Sequence, residues 1–187
     1  MDTNEDKYSK YNQYGDDDFS WQDECLKEIS NAQNIIISSP TGSGKTKVCM
    51  DYALQHSERP IIITAPTKVI SNQRYRKLLE AGYKVALETG DRKIIPENYD
   101  ILCCTQEIYT NKYVNLENAT LIIDEIHTIS NNPDRARAYI DGIHYSKAKN
   151  IILCSATLGN MDKFKEEMDN VSERNFKTYV NHSRPTS

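Results

Sequence analysis

Short runs of apolar residues recur along the chain and alternate with stretches of helical periodicity. Most of the runs are continuous Ile, Leu, Val and Cys, the pattern of strands that are buried on both faces. They predict strands at 34–38, 60–65, 84–88, 100–104, 121–124 and 150–155, with a weaker one at 175–180. Helices are predicted near 21–31, 45–56, 68–81, 106–112, 133–144 and 161–168. This alternation predicts an α/β fold in which helices cover both faces of a mostly parallel, twisted sheet.

Length and charge restrict the domain organisation. The 187 residues are enough for one compact domain with a sizeable core. Residues 1–18 hold six acidic residues and two lysines and show no periodicity, so we expect a disordered acidic tail. The net charge of −4 therefore lies in this tail, and the rest of the chain is neutral. A neutral domain binds nucleic acid only through a local basic patch.

The cysteines and the hydropathy indicate the compartment. The five cysteines are an odd number and form no CxxC or zinc-type spacing. Cys103, Cys104 and Cys154 lie in apolar runs, which predicts buried reduced thiols and a cytoplasmic protein, or a nuclear one in a eukaryote. No apolar stretch approaches the roughly 20 residues of a membrane span, and we expect no membrane association.

A phosphate-binding loop is predicted at 39–46, SPTGSGKT, between the first strand and a helix. Its glycines let successive backbone N–H groups converge on an anion at the helix N-terminus. Lys45 would reach the β- and γ-phosphates and contribute to catalysis, and the Thr46 hydroxyl would bind Mg²⁺. The predicted nucleotide-binding residues of the loop are Pro40, Thr41, Gly42, Ser43, Gly44, Lys45 and Thr46.

A second motif, DEIH, follows the predicted strand at 121–124. Ligands of parallel sheets bind at the carboxyl ends of the strands, where these acidic residues lie. Asp124 would hold Mg²⁺, and Glu125 would orient and deprotonate an attacking water. His127 would link this site to a neighbouring segment. Together with SPTGSGKT, the pair predicts ATP chemistry with ATP and Mg²⁺ as cofactors.

SPTGSGKT, DEIH and Ser155-Ala156-Thr157 occur in the order and approximate spacing of the superfamily-two DEAD/DExH-box helicases, which the chain resembles. Ser39 replaces the first glycine of the general phosphate-loop pattern, which fits a helicase-type loop. Further stretches resemble the superkiller-type and exosome-associated DExH RNA helicases, and the resemblance covers about 19–187. These stretches are APTKVISNQRYR (65–76), Thr89-Gly90-Asp91, Thr105-Gln106-Glu107, Asp134-Arg135-Ala136-Arg137 and SATLGN (155–160).

The resemblance implies a role for further residues. Gln22, close to Phe19 and Trp21, is similar to the glutamine that reads adenine, although these aromatic residues could equally be the apolar face of a first helix. Ser155 and Thr157 would relay the nucleotide state to a partner domain. The residues implied to approach the backbone of one nucleic-acid strand are Thr67, Lys68, Asn72, Gln73, Thr89, Gly90, Asp91 and Thr105. Segment 68–93 supports this role, because it holds seven basic and three acidic residues.

The implied protein is an ATP-dependent helicase that couples ATP hydrolysis to translocation and unwinding. Residues 19–180 would form its first RecA-like domain, and 181–187 would begin a linker to a second one. We expect single-stranded nucleic acid as the partner, RNA in preference to DNA, and a monomeric protein. Residues 1–187 alone should hydrolyse ATP slowly if at all, since the second domain supplies the arginine fingers.

Two alternatives to an RNA helicase stay open. A DNA helicase or translocase of the same superfamily is a close runner-up, because contacts to the backbone say little about the sugar. A non-hydrolysing module, in which a bound nucleotide gates nucleic-acid binding, is a different class of protein. The complete set of Lys45, Thr46 and acidic pair argues against it. A metabolic P-loop kinase would not account for DEIH and Ser155-Ala156-Thr157.

Overall fold

The computed structural model of the protein describes residues 34–39, 60–126, 133–156 and 159–180. The helices predicted at 21–31 and 45–56 lie outside them, as do the predicted tail and linker. In chain order the described elements are β1 (Asn34–Ser38), β2 (Ile61–Ala65), α1 (Lys68–Glu80), β3 (Val85–Glu88), β4 (Lys93–Ile94), β5 (Ile101–Thr105), α2 (Gln106–Lys112), β6 (Thr120–Ile123), α3 (Pro133–Tyr145), β7 (Asn150–Ser155), α4 (Met161–Ser172) and β8 (Lys177–Val180).

The described strands form one sheet in the order β4-β3-β5-β2-β6-β7-β1-β8. Neighbouring strands are parallel throughout, except that β4 runs antiparallel to β3. Parallel neighbours need crossover connections, and α1, α2, α3 and α4 each lie between two strands of the sequence. All strands other than β4 therefore end at the same edge of the sheet, which we call the carboxyl edge.

The apolar strands supply two separate cores because alternate side chains point to opposite faces. In β2, Ile61 and Ile63 pack in the cluster that contains Tyr75 and Leu78 of α1. Ile62 packs on the other face, in the cluster that holds residues of α2, α3 and α4. Helices therefore cover both faces, as the continuous apolar runs predicted. Burying a side chain such as isoleucine contributes about 1.5–3 kcal/mol, so each strand is stabilised from both sides.

Most element boundaries agree with the sequence prediction to within about two residues. Two differences have a physical reason. The sequence predicts no strand at Lys93–Ile94, because a two-residue strand is too short to show a period. The last helix was predicted to end at 168 but continues to Ser172, where Glu173 takes a left-handed cap conformation. Cys103, Cys104 and Cys154 are buried free thiols, as predicted.

A close contact between α2 and α3 fixes the segment that follows β5. A Cβ atom added to Gly142 of α3 would lie 2.4 Å from Gln106 Nε2 and 2.6 Å from Thr110 Oγ1. Thr110 Oγ1 also donates to the carbonyl of Ala138 at 2.7 Å, so the hydroxyl is held in place. Glycine is therefore required at this helix crossing for space, since a larger residue would occupy the position of the α2 side chains.

A buried carboxylate joins the end of β3 to the end of α2. Glu88 is 2% exposed; Lys112 forms an ion pair with it, and the Tyr113 hydroxyl donates to it at 2.6 Å. Burial by itself raises the pKa of Glu88. The hydrogen bonds from Lys112 and Tyr113 and the nearby positive charges lower this pKa by a larger amount, so the net shift is downward. Glu88 precedes Thr89 directly, so this contact anchors the turn that leads from β3 to β4.

The opposite edge of the sheet is held by a half-buried arginine. Arg174 donates to Asn34 Oδ1 at 2.9 Å and to the carbonyls of Ser146 and Ala148 at 3.1 and 2.7 Å. Burial lowers the pKa of its guanidinium, although arginine stays charged at neutral pH. These bonds hold the start of β1 against the loop before β7. They thus fix the strand that leads to the phosphate-binding loop.

We predict that Gly142→Ala destabilises the fold. Overpacking of a close contact costs about 1–3 kcal/mol, which exceeds the gain of up to about 1 kcal/mol that alanine brings to a helix. Urea denaturation measures the change in unfolding free energy. In the Gln106→Ala/Thr110→Ala background the crowding is removed, so Gly142→Ala should then be neutral or stabilising. An equal loss in both backgrounds would contradict the steric explanation.

We predict that Glu88→Gln lowers the unfolding free energy by about 1–3 kcal/mol at pH 7, because the Lys112 ammonium loses its carboxylate. The pKa of Glu88 is lowered on folding, so its ionised form contributes stability above the ordinary pKa of about 4.5. That contribution is lost as the pH falls through the lower folded pKa, and the two proteins should converge there. Denaturation at several pH values tests this. Glu117→Gln, at an exposed position, is the control, and a pH-independent difference would refute the ionic origin.

Candidate functional site

The described site candidates gather at the carboxyl edge of the sheet. Six strands each end at or just before a residue of the predicted motifs, and this is the position where parallel α/β sheets bind ligands. Ser39 follows β1, Thr67 follows β2, Thr89 follows β3, Thr105 ends β5, Asp124 follows β6 and Ser155 ends β7. Residues that are distant in the sequence are brought together because the strand order mixes early and late strands.

The start of the phosphate-loop motif is hydrogen-bonded to the motif after β7. The backbone N–H of Ser39 donates to the carbonyl of Ser155 at 3.1 Å. The hydroxyls of Ser38 and Ser155 both donate to the carbonyl of Ala156, at 3.2 and 2.8 Å. The two segments therefore continue the β1–β7 pairing beyond the strands. Hydrogen bonds thus join the two segments directly.

Asp124, the first acid of DEIH, directly follows β6 and is 4% exposed. Its N–H approaches the carbonyl of Thr64 at 3.5 Å, so it continues the pairing of β6 with β2. Its carboxylate forms an ion pair with Arg74 of α1, and Arg74 Nη1 also donates to the Thr64 carbonyl at 3.3 Å. The carboxylate of Asp124 is thus held in place from α1.

Glu125, the second acid, has a left-handed backbone with φ of 55°. Such a conformation is unfavourable for residues with a side chain and is found mostly at turns and functional sites. Ile126 follows and is fully buried in the cluster under α2 and α3. The chain therefore turns sharply at Glu125, which leaves this residue partly exposed between a buried acid and a buried isoleucine.

The first turn of α1 and the turn after β3 form a joint surface. Lys68 pairs with Asp91, and Arg92 donates to Asn72 Oδ1 at 2.8 Å. The Lys68 and Asp91 side chains are 59% and 62% exposed. The family resemblance implies that both segments approach one nucleic-acid strand. In the structure the two segments are direct neighbours. Gln73 is exposed on the same helix.

The three threonines among the nucleic-acid candidates lie at the start of a helix or in a turn, and two of them accept hydrogen bonds from the local backbone. Thr67 is the N-cap of α1, where its hydroxyl accepts from Ile70 N at 3.3 Å. Thr89 is 5% exposed and accepts from the N–H groups of Asp91 and Arg92 at 3.3 and 3.2 Å. Thr105 is the N-cap of α2, is 8% exposed and makes no side-chain capping bond. Gly90 is exposed at the tip of the turn.

Several site candidates lie outside the described residues. They are Gln22, Pro40, Thr41, Gly42, Ser43, Gly44, Lys45, Thr46, His127 and Thr157. Their roles stay predictions, and so do the roles of the candidates whose positions are described above.

Two residues of the site were not identified from the sequence. Arg74 was counted only as one of several bases, yet it lies with Ser71, Tyr75 and Leu78 on the side of α1 that faces the sheet. This helical spacing was a usable signal, because a base on a buried stripe needs a partner. Glu88 ends an apolar run, Val85–Glu88, in which all four residues are buried. A single acid at the end of such a run is a similar signal.

The described part of the chain contains no cluster of three or more His, Cys, Asp and Glu side chains suited to a metal. Mg²⁺ does not need one, since it is usually held by one or two carboxylates, waters and substrate phosphates. A buried aspartate at the edge where the phosphate-loop motif begins therefore fits this ion better than zinc. In these same ranges no helix is long and apolar enough to cross a bilayer.

Proteins of similar sequence are helicases. The chain is 30% identical to the exosome RNA helicase MTR4 of Homo sapiens over 183 residues, which cover 89% of this chain and 17% of MTR4. It is 34% identical to the DExH-box ATP-dependent RNA helicase DExH10 of Arabidopsis thaliana over 149 residues, which cover 74% of this chain and 14% of DExH10. The chain thus spans less than a fifth of the length of these relatives.

The fold has known counterparts as well. The crystal structure of a hypothetical ATP-dependent RNA helicase from Sulfolobus tokodaii superposes with a TM-score of 0.72. The match covers 96% of this chain and 57% of that one at 19% identity, and it shows that the fold is RecA-like. The DEAD/DEAH box helicase family model matches residues 19–164, which include both the phosphate-loop motif and DEIH. The chain therefore belongs to the DEAD/DEAH box helicase family.

Proposed function

We propose that the chain is the ATP-binding motor domain of a DExH-box RNA helicase that couples ATP hydrolysis to translocation along nucleic acid and its unwinding. One observation carries this function. The carboxyl edge of a single sheet holds the start of the phosphate-loop motif, the Asp124–Glu125 pair and Ser155 beside the surface formed by α1 and the turn after β3. A motor needs a nucleotide site and a nucleic-acid site on one rigid element, and both proposed sites would lie on this edge.

At the nucleotide site, Lys45 would bind the β- and γ-phosphates, and Gln22 would read the adenine. Thr46 and Asp124 would hold Mg²⁺, which supplies neutralisation of the charge that develops on the phosphates. Glu125 would accept a proton from the attacking water, since a carboxylate positioned at hydrogen-bonding distance can act as a general base. The left-handed backbone of Glu125 is compatible with this role, because such conformations cluster at functional sites as well as at turns.

At the nucleic-acid site, Lys68, Asn72, Gln73 and the turn 89–91 would bind phosphates of one strand. Lys68 and Asn72 are held by contacts with Asp91 and Arg92, so the two segments are already positioned relative to each other. Positive charge, amide groups and backbone N–H groups bind phosphates without reading bases, as a translocating protein requires. Thr67 and Thr105 would contribute through the helix N-termini that they begin.

RNA is favoured over DNA as the nucleic acid along which the protein would move. MTR4 and DExH10 are both named RNA helicases, and this chain shares about a third of its residues with each over the aligned region. The proposed contacts are to phosphates and do not test the 2′-hydroxyl, so a DNA helicase or translocase of the same superfamily is the runner-up.

We further propose that residues 19–180 work with a second RecA-like domain of the same polypeptide, joined through 181–187, in a monomeric protein. The much greater length of the relatives supports this arrangement. A second domain would supply arginine fingers, which are typically worth about 10³–10⁵ in rate, and His127, Ser155 and Thr157 would signal to it. The three buried free thiols support a cytoplasmic or nuclear location, and residues 1–18 would be a disordered tail.

The strongest alternative of another class is a non-hydrolysing module in which bound nucleotide gates nucleic-acid binding. Lys45, Thr46 and the Asp124–Glu125 pair, which hydrolysis would need from this domain, are all present in the sequence, and this argues against such a module. The two possibilities differ in one measurable property, the turnover of bound ATP.

We predict that Glu125→Gln lowers the rate of ATP hydrolysis about 10²–10⁴-fold, the usual contribution of a general base. ATP affinity should change little, because the amide keeps the size of the carboxylate. Single-turnover hydrolysis with protein in excess suits the slow reaction expected of residues 1–187. Fluorescence titration with a nucleotide analogue measures the affinity.

Glu107→Gln is the matched control, since Glu107 is an exposed acid of α2. It should keep the wild-type rate. ATP binding without hydrolysis by the wild-type chain, even when single-stranded RNA and the rest of the polypeptide are supplied, would favour the non-hydrolysing module. Equal rates for wild type and Glu125→Gln would remove Glu125 from the mechanism.

We predict that Lys68→Gln weakens binding of single-stranded RNA and lowers its salt dependence. Each phosphate contact contributes about 0.7 to the slope of log affinity against log salt for single strands, so this variant should lose about that amount. Fluorescence anisotropy at several salt concentrations measures both quantities.

Lys147→Gln is the control, because Lys147 is exposed and precedes β7 at the opposite edge of the sheet. An identical slope for Lys68→Gln and wild type would exclude Lys68 from the phosphate contacts. Titration with RNA and DNA of the same base sequence separates the two tracks, since tighter binding to DNA would favour the runner-up.

A further inference from the structure

One side chain connects the two halves of the proposed site. The guanidinium of Arg74 binds the carboxylate of Asp124 and donates to the carbonyl of Thr64 at 3.3 Å. The Arg74 side chain is 18% exposed and that of Asp124 is 6% exposed. Arg74 therefore joins α1 to the end of β2 and to the residue that follows β6, three elements of the carboxyl edge.

The Arg74–Asp124 contact lies on the side of α1 that is opposite Asn72. Successive residues of a helix are about 100° apart, so Asn72 and Arg74 point in directions about 200° apart. Ser71, Tyr75 and Leu78 are buried and define the side that faces the sheet. Burial raises the pKa of Cys103 to about 12, and the positive charge of Arg74 opposes this rise, which shows how close the guanidinium lies to the core.

The contact can orient the carboxylate of Asp124. Both side chains are largely withdrawn from water, where an ion pair is screened much less than at the surface. A carboxylate accepts about four hydrogen bonds, so a guanidinium and a ligand water can share it. The orientation of the carboxylate, however, depends on where α1 holds the guanidinium.

We propose that Arg74 is a positioning residue that couples nucleic-acid contact on the outer side of α1 to the binding of Mg²⁺–nucleotide at Asp124. This inference rests on the proposed function of the chain. A strand that binds Lys68 and Asn72 shifts or stiffens α1, and Arg74 passes this change to the carboxylate. By linkage, nucleotide at Asp124 alters the affinity for the strand by the same factor.

The test measures binding rather than turnover. A fluorescent, non-hydrolysable ATP analogue is titrated into the full chain with Mg²⁺, with and without saturating oligouridylate. The ratio of the two dissociation constants is the coupling factor. We expect a factor of at least about 5 for the wild type and a factor near 1 for Arg74→Gln. Each ligand alone should still bind the variant.

Arg76→Gln is the matched control, because it removes the same charge from an exposed position of the same helix. Its affinity for RNA can fall, but its coupling factor should stay at the wild-type value. A purely structural role of Arg74 would lower the thermal stability and the affinities for nucleotide and for RNA. The coupling factor would stay at the wild-type value. Arg74→Lys should restore part of the coupling, since lysine keeps the charge without the planar fork.

Each outcome is decisive. Loss of coupling in Arg74→Gln with coupling retained in Arg76→Gln supports the inference. An unchanged factor in Arg74→Gln overturns it, as does a wild-type factor of 1 when both ligands bind. If Arg74→Gln does not fold in a thermal melt, a reduced factor in Arg74→Lys supports the inference and an unchanged one overturns it. A wild-type chain that binds neither ligand instead refutes the proposed function.

Discussion

The structure depends on strands that are buried on both faces. Such strands are typical of parallel sheets, in which the crossover helices cover both faces. Once the strands are parallel, their carboxyl ends meet at one edge, and each loop that leaves this edge starts close to the others. Ile62, fully buried at the centre of the sheet, illustrates the constraint, since its neighbours along β2 pack on the opposite face. The site at this edge is thus a consequence of the core.

Backbone hydrogen bonds and buried ion pairs then set the relative positions of these loops. Ser39 and Ser155 are joined by a backbone bond, so the phosphate-loop motif and the motif after β7 keep the register of their strands. Asp124 is held from α1 by Arg74, and the turn after β3 is anchored through Glu88. A buried ion pair is weak evidence of stability, because desolvation offsets much of the attraction. The Arg74–Asp124 and Glu88–Lys112 pairs matter here for position, because each one joins a loop to a neighbouring helix.

The periodic pattern of the sequence predicted the described strands and helices apart from β4, because most of the strands are continuous apolar runs that are buried on both faces. It could not predict partners. Arg74 and Asp124 are 50 positions apart, and Glu88 and Lys112 are 24 apart. They meet only because β6 lies beside β2 and β5 lies beside β3, an order that no local pattern contains. The motifs did predict which loops carry the site, since a glycine-rich or acidic stretch directly after a buried strand is typical of phosphate and metal binding.

Glu125 shows how the core maintains a strained site. A left-handed backbone costs a residue with a side chain about 1–2 kcal/mol, and Asn98 and Glu173 share this conformation at a turn and at a helix cap. At Glu125 the chain must turn at once, because Ile123 and Ile126 are both fully buried in the same cluster. Burying one isoleucine contributes about 1.5–3 kcal/mol, which exceeds the strain. Glycine would remove the strain and the carboxylate together, so the packing of Ile126 is what allows an acid to occupy this turn.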